Sequence, residues 1–207
     1  FTGYYFNDRH VYNLRQSKLS KSKGEIMSFK VNPAGSSYAV LSLKDATYYL
    51  KVYDLWHPDV VFHDFKLESV KPQAICYSPD SRSFAVACDN KAVLLYDTEK
   101  YFVKSKFILP FVADKIAISD NNYFLSAISD GFLRVYNIEN GMLRYETQLM
   151  SEINSVVFSS GSEYMMTCTA NGMVQLYDTR TFHKIGEYDS MGIASDCDFH
   201  PDIKYLA

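Results

Sequence analysis

One two-residue signature recurs along this chain at nearly fixed intervals, and it constrains the fold more than any other feature. Tyr12-Asn13, Tyr53-Asp54, Tyr96-Asp97, Tyr136-Asn137 and Tyr177-Asp178 follow one another at spacings of 41, 43, 40 and 41 residues. Each pair closes a run of β-branched or apolar residues, as in Val93-Leu94-Leu95, Leu133-Arg134-Val135 and Val174-Gln175-Leu176. A fixed period of this length marks stacked supersecondary units, each too small to bury its own apolar face alone.

The rest of each unit falls into register with that signature. Asn32-Pro33-Ala34-Gly35, Ser78-Pro79-Asp80-Ser81, Ser119-Asp120-Asn121-Asn122, Ser159-Ser160-Gly161-Ser162 and His200-Pro201-Asp202 read as the turn between first and second strands. Pro fixes φ there, and Gly, Asn and Asp tolerate the positive φ of a tight turn. Second strands follow at Tyr38 to Leu43, Phe84 to Cys88, Phe124 to Ile128 and Tyr164 to Thr169, with another starting at Tyr205. Asp45, Asn90, Asp130-Gly131 and Asn171-Gly172 mark the next turn, and the last two are hairpin dipeptides. Fourth strands, such as Phe102 to Leu109 and Met142 to Leu149, are more polar and suit an outer edge. Inner strands read as nearly continuous apolar runs, the pattern of a sheet covered on both faces. No stretch sustains a helical period with caps.

Four-stranded units of about 40 residues have the period of WD40 blades. Over nearly all its length the chain resembles the WD40 (WD-repeat) β-propeller family. The Tyr-Asp or Tyr-Asn endings, the Ser78-Pro79-Asp80 type of turn and Asp130-Gly131 carry the likeness. Two features depart from it. Trp-Asp is replaced throughout by Tyr-Asp or Tyr-Asn, with the sole Trp, Trp56, outside that slot; and the family's Gly-His pair is missing from every unit. The family's His–Ser/Thr–Asp–Trp hydrogen-bonded tetrad is therefore incomplete, and bacterial propellers with YVTN-like or Asp-Thr endings remain alternative relatives.

The expectation is an all-β chain, a β-propeller of four-stranded antiparallel blades. Complete blades fall at about 24–67, 70–109, 111–149 and 151–189. A half blade over 1–23 supplies a third and fourth strand, and one over 193–207 a first and second. These halves either pair to close a five-bladed ring or belong to a larger ring of about seven blades. The larger ring is favoured, because the sequence stops mid-strand at Leu206-Ala207 and starts without Met.

Composition narrows the function classes. With 21 basic and 24 acidic residues the chain has no basic field for nucleic acid or anionic membrane. Lys18, Lys21 and Lys23 read as a solvated loop. No run is long enough to insert in a membrane and no signal peptide is visible. Cys76, Cys88, Cys168 and Cys197 lie in apolar strand-like runs without C-x-x-C spacing, which reads as reduced thiols in a cytoplasmic protein. A removed signal peptide would make it secreted or periplasmic instead.

No catalytic constellation emerges. G-x-S-x-G, H-E-x-x-H, P-loop and G-x-G-x-x-G patterns are all missing. His63 and Asp64 are neighbours on a strand, so they point to opposite faces. His57, His183 and His200 occupy different repeat positions and read as loop residues. Asp196 and Asp198 are the only acidic pair on a first strand. The recurring Asp54, Asp97, Asp178, Asn13 and Asn137 read as strand-ending groups that bond turn amides. No metal or cofactor is expected.

Non-enzymatic presentation of loops to protein or peptide partners within a larger complex is the expected function, with further blades or domains of the same chain as possible neighbours. The alternative is an enzyme or small-ligand sensor working through the central channel. By the resemblance, the connections entering first strands share one face. There Glu68, Lys71, Asp114, Lys115, Glu152 and Asn154 vary in charge from unit to unit. Trp56, in an irregular loop beside Pro58, is a further candidate anchor.

Overall fold

The computed structural model describes residues 3–7, 10–14, 25–57, 59–67 and 70–200. The chain divides into two compact units, Phe1–Pro72 and Gln73–Ala207. In the first, β1 (Gly3–Asn7) and β2 (His10–Leu14) form a hairpin, while β3 (Glu25–Val31), β4 (Ser37–Lys44), β5 (Thr47–Asp54) and β6 (Val61–Leu67) form one sheet. The second carries two sheets of consecutive strands, β11 (Lys115–Ile118) to β14 (Leu143–Gln148) and β15 (Ile153–Phe158) to β18 (Lys184–Asp189). It also carries the sheet of β7 (Pro72–Tyr77), β8 (Ser83–Cys88), β9 (Ala92–Asp97) and β10 (Val103–Ile108). Between these lie β12 (Phe124–Ser129), β13 (Phe132–Asn137), β16 (Tyr164–Thr169) and β17 (Met173–Asp178). Every sheet is an antiparallel meander, and the described residues contain no α-helix.

The two ends of the chain differ from expectation in detail. Tyr5 pairs with Tyr12 across β1 and β2 as Tyr38 pairs with Tyr53 across β4 and β5. β1 therefore stands in the second-strand position, ahead of the third strand from which the sequence pattern was counted. The segment expected as a fourth strand lies outside the described residues. At the other end, residues 193–200 make only a single bridge, at Phe199, where a first strand was expected; Tyr205 is outside the described residues.

Alternating side chains explain why the inner strands look apolar throughout. In β12, Leu125 and Ala127 pack towards the preceding sheet with Ala85, Leu95 and Ile116. Phe124 and Ile128, on the other face, pack towards the following sheet with Ile153, Val156 and Met165. Both faces are buried, so a period-two pattern of polar residues has no place there. In β4 and β8 a second-strand aromatic stacks on the third-strand tyrosine: Tyr38 on Tyr53 at 5.1 Å and Phe84 on Tyr96 at 4.9 Å. Leu125 and Met165 take that place opposite Tyr136 and Tyr177. Burial pushes the Tyr96 phenol up to about 12, in keeping with a packing role. The fourth strands are mostly exposed, as a solvent-facing edge requires.

The first turn is closed the same way in each sheet. Ser78 N donates to Ser83 O (2.8 Å), Ser119 N to Phe124 O (2.9 Å) and Ser159 N to Tyr164 O (2.9 Å). The serine Oγ accepts from the same partner's amide, at 2.9, 2.8 and 3.0 Å respectively. Ser78 and Ser119 donate in turn to Asp80 and Asn121, both at 2.7 Å. All three serines are fully buried. Asn32 fills the slot in the first unit, bonding Ser37 through its backbone at 2.9 Å and its amide at 3.3 Å.

The third-strand carboxylates do what repetition implies. Asp54 Oδ1 accepts from the Trp56 and His57 amides, both at 2.7 Å. Asp97 Oδ1 accepts from Glu99 and Lys100 at 2.8 Å, and Asp178 Oδ1 from Arg180 at 2.8 Å and Thr181 at 3.1 Å. Asn137 serves with its amide oxygen, accepting from Asn140 at 2.9 Å. These amide hydrogen bonds, with His57, Lys100 and Thr181 the strongest contributors, hold the three carboxyls below the usual aspartate range.

Two outcomes follow from these turns. Ser119→Ala removes both a buried acceptor for Phe124 and a donor to Asn121, and lowers stability by about 1–3 kcal/mol in urea unfolding. The aspartates, depressed on folding, add stability above the unfolded aspartate pKa and lose it as pH falls through their folded values. Asp178→Asn keeps the acceptor oxygen but not the charge. Its thermal midpoint therefore lies slightly below the parent's at neutral pH, and the gap closes below about pH 4.

Candidate functional site

The connections between sheets and the second-to-third hairpins form one hydrogen-bonded end of the second unit. Leu149 N donates to Gly131 O at 2.8 Å and Ile153 N to Asp130 O at 2.7 Å. Ala170 N donates to Glu152 O at 2.9 Å, and Asn171 N to Ser151 Oγ at 3.2 Å. The 149–152 connection is thus pinned by the hairpins of both flanking sheets. Gly131 is required for this: a Cβ there would stand 2.4 Å from Leu149 O.

The candidate residues on this end divide by what they do. Glu152 is exposed and makes no ion pair among the described residues. Asp114 is exposed and accepts from Ser129 Oγ at 2.9 Å. Lys115 is half-buried, and its Nζ reaches Ile153 O at 3.5 Å. Asn154, also half-buried, donates to Ala194 O at 2.9 Å and so tethers the segment after β18. In the first unit Lys71 is exposed, and Glu68 lies outside the described residues. Trp56 is 55% exposed, but it sits in the β5–β6 turn, at the opposite end of β6 from Lys71. Seven strand residues span about 23 Å, so Trp56 and Lys71 do not share one small contact.

Asp196, Asp198, His63, Asp64 and His57 are locally engaged. Asp196 Oδ1 accepts from the Cys197 amide at 2.9 Å and Asp198 Oδ1 from the Phe199 amide at 2.8 Å. Asp64 pairs with Lys51 at 2.6 Å, while the His63 ring lies 4.0 Å from that of Phe65 on the other face. His57 Nδ1 lies 3.4 Å from Asp54. Among the described residues, no three His, Cys, Asp or Glu converge as a metal set. The four cysteines are free thiols; Cys197, expected in a strand, lies outside any. Burial pushes the Cys88 thiol up to about 11 and raises Cys168 and Cys197 as well, which leaves them poor nucleophiles. No helix among the described residues is long and apolar enough to cross a membrane.

At the other end of the same unit, among the first and third turns, lies a cleft of about 440 Å³ bordered by Tyr123, Arg144, Glu163, Thr179 and Arg180. Sequence reading passed over it, because its walls come from turns of two different sheets. The available signal was Asn137, since the other three four-stranded sheets have Asp in that place.

Comparison with known proteins sets this frame in context. The family described as WD domain, G-beta repeat matches residues 145–178. The β-propeller domain of Cps50 (Swd1) from Myceliophteria thermophila superposes with a TM-score of 0.71 at 17% identity, covering 88% of this chain and 61% of that one. Residues 145–178 match one WD40 repeat, and the chain has a β-propeller fold. The matched WD40 repeat runs from within β14 to the end of β17, so repeat and blade are out of phase by one strand. The Dictyostelium discoideum TSET complex member tstF is 20% identical over 193 residues, 88% of this chain and 17% of its own length. The human angio-associated migratory cell protein is 32% identical over 59 residues, 28% of this chain and 14% of its own length. The chain thus spans about a sixth of the length of these curated relatives.

Gly131→Ala tests how firmly the 149–152 connection is held. The new Cβ displaces the Leu149 carbonyl, lowers stability by about 1–3 kcal/mol and exposes that connection to limited proteolysis; unchanged stability and cleavage would mean that the hairpin does not hold it.

Proposed function

We propose that this chain is a non-enzymatic interaction scaffold of the cytoplasm, presenting the connections between blades to a protein or peptide partner within a larger complex. The supporting observation is the contrast between frame and connections. The first turns close with the same backbone hydrogen bond in each blade, while exposed charge on the connections changes from blade to blade, as at Lys71, Asp114 and Glu152. Recognition resides in variable loops on a rigid frame. The description of tstF as a member of a complex fits this reading. In the second unit Lys115 and Asn154 contribute by fixing the connections and Glu152 meets the partner directly; Lys71, in the first unit, is a separate contact of the same kind. Trp56 and Glu68 are secondary contacts, with Trp56 reaching a different part of the partner.

The test is a native-lysate pull-down with the full-length protein and a Glu152→Lys variant whose thermal midpoint matches the parent's. A protein partner recovered in near-equal amount with the parent, and at least tenfold less with the variant, is the expected result. No enriched protein, or equal recovery by both baits, would overturn the scaffold reading or its assignment to this surface respectively.

A further inference from the structure

The fourth strand of each complete blade carries one bulged residue. The pairing slips at Phe62 in β6, Lys104 in β10, Arg144 in β14 and Ile185 in β18. A bulge leaves its residue unpaired and re-aims the side chain. The frame therefore holds one freely variable position per blade, next to the residue that ends the third strand.

Two of these positions are basic, and their settings differ by one atom type. In the β7–β10 blade, Lys104 Nζ lies 2.9 Å from Asp97 Oδ2 and 3.1 Å from Ser83 Oγ. Its charge is satisfied inside the blade. In the β11–β14 blade the third strand ends in Asn137, whose Oδ1 is engaged with the Asn140 amide. The other side-chain atom is then an amide nitrogen, which cannot accept from a guanidinium. Arg144 is exposed and has no hydrogen bond or ion pair among the described residues.

Arg144 faces the cleft between its blade and the next. On the far side stands Arg180, 3.4 Å from Glu163. Arg180 is thus paired, and Asp120 Oδ2 accepts from the Gly161 amide on the same wall at 2.8 Å, so of the two guanidinium groups bordering the cleft Arg144 is the one with no carboxylate against it among the described residues. Tyr123, 40% exposed and edge-on to Phe124 at 4.9 Å, provides an aromatic wall.

We infer that this cleft binds an acidic peptide segment of a protein partner, with a side-chain carboxylate on Arg144 and an adjoining apolar residue against Tyr123. A planar guanidinium takes a carboxylate through two parallel hydrogen bonds. The single unpaired guanidinium matches one carboxylate, whereas a dianionic phosphate leaves a negative charge unmatched beside Glu163 and Asp120. The cleft lies at the opposite end of the second unit from the connections between blades. Its occupancy is independent of the scaffold surface described above, and each can fail without the other.

The experiment is fluorescence anisotropy of the protein with a fluorescein-labelled Gly-Phe-Glu-Phe-Gly peptide, its glutamine counterpart and its phosphoserine counterpart, at low salt where screening is weak. The glutamate peptide binds at least tenfold more tightly than the glutamine one, and Arg144→Gln abolishes the difference. Asn137→Asp does the same while Arg144 stays in place, because the new carboxylate takes Arg144 as Asp97 takes Lys104. Asp ends the third strand in three other blades, so this variant keeps the turn. Equal binding of glutamate and glutamine peptides, indifference to both substitutions, preference for phosphoserine, or no binding of any peptide at millimolar concentration would each overturn the inference.

Discussion

One backbone hydrogen bond per blade holds the two outer turns together, and the rest of the architecture depends on it. The residue just after the third strand donates its N–H to a carbonyl of the first turn. Leu55 donates to Ser36 O and Thr98 to Arg82 O, both at 3.1 Å; Ile138 donates to Tyr123 O at 2.9 Å and Thr179 to Glu163 O at 3.0 Å. Two turns far apart in sequence thereby become one rigid end. Because donor and acceptor are both main chain, Leu, Thr and Ile serve equally. Thr98 and Thr179 strengthen the link with Oγ1 bonds to Ser81 O at 2.7 Å and Ser162 O at 2.6 Å. A frame closed by backbone atoms and buried serines does not need a Trp-containing tetrad, and the third-strand Tyr supplies the aromatic.

Rigidity at both ends of the blades releases other positions to vary. At one end, hairpin glycines and backbone bonds pin the connections, and their exposed side chains are free to differ. At the other, the fourth-strand bulge presents Phe62, Lys104, Arg144 or Ile185 without disturbing the pairing on either side. Whether a basic residue there is available to a partner depends on a single neighbour, Asp97 or Asn137. The general consequence is that a structural residue of the repeat also decides local charge. Asp in that place bonds a turn and neutralises a neighbour; Asn bonds the turn alone.

The fold was legible in the sequence because its cause is periodic. Tyr-Asp endings, Ser-anchored turns and Gly hairpins each solve a local backbone problem, and a local solution repeated at about 40 residues identifies the blade. The end strands were less legible. β1 has no turn signature ahead of it, and residues 193–200 carry strand-like apolar residues that pack against Met166 and Cys168 yet make only a single bridge. Lys115 and Asn154 looked like free surface groups, since sequence does not show that Ile153 O and Ala194 O lie within their reach. The cleft was illegible for a related reason: Arg144 and Arg180 are 36 residues apart and meet only when consecutive blades pack. Asn137 was read correctly as a turn residue, yet its effect on Arg144 depends on the bulge, which pairing alone reveals.

The most direct test of the central claim is native-state hydrogen exchange at the amides of Thr98, Ile138 and Thr179. These amides lie just beyond a strand, where ordinary turn residues exchange rapidly. If the link between turns holds each blade end, they exchange as slowly as the inner-strand amides of Leu95, Val135 and Leu176. Exchange at the rate of an open loop would contradict the account, since the turns would then be independent and the surfaces they carry would not be fixed.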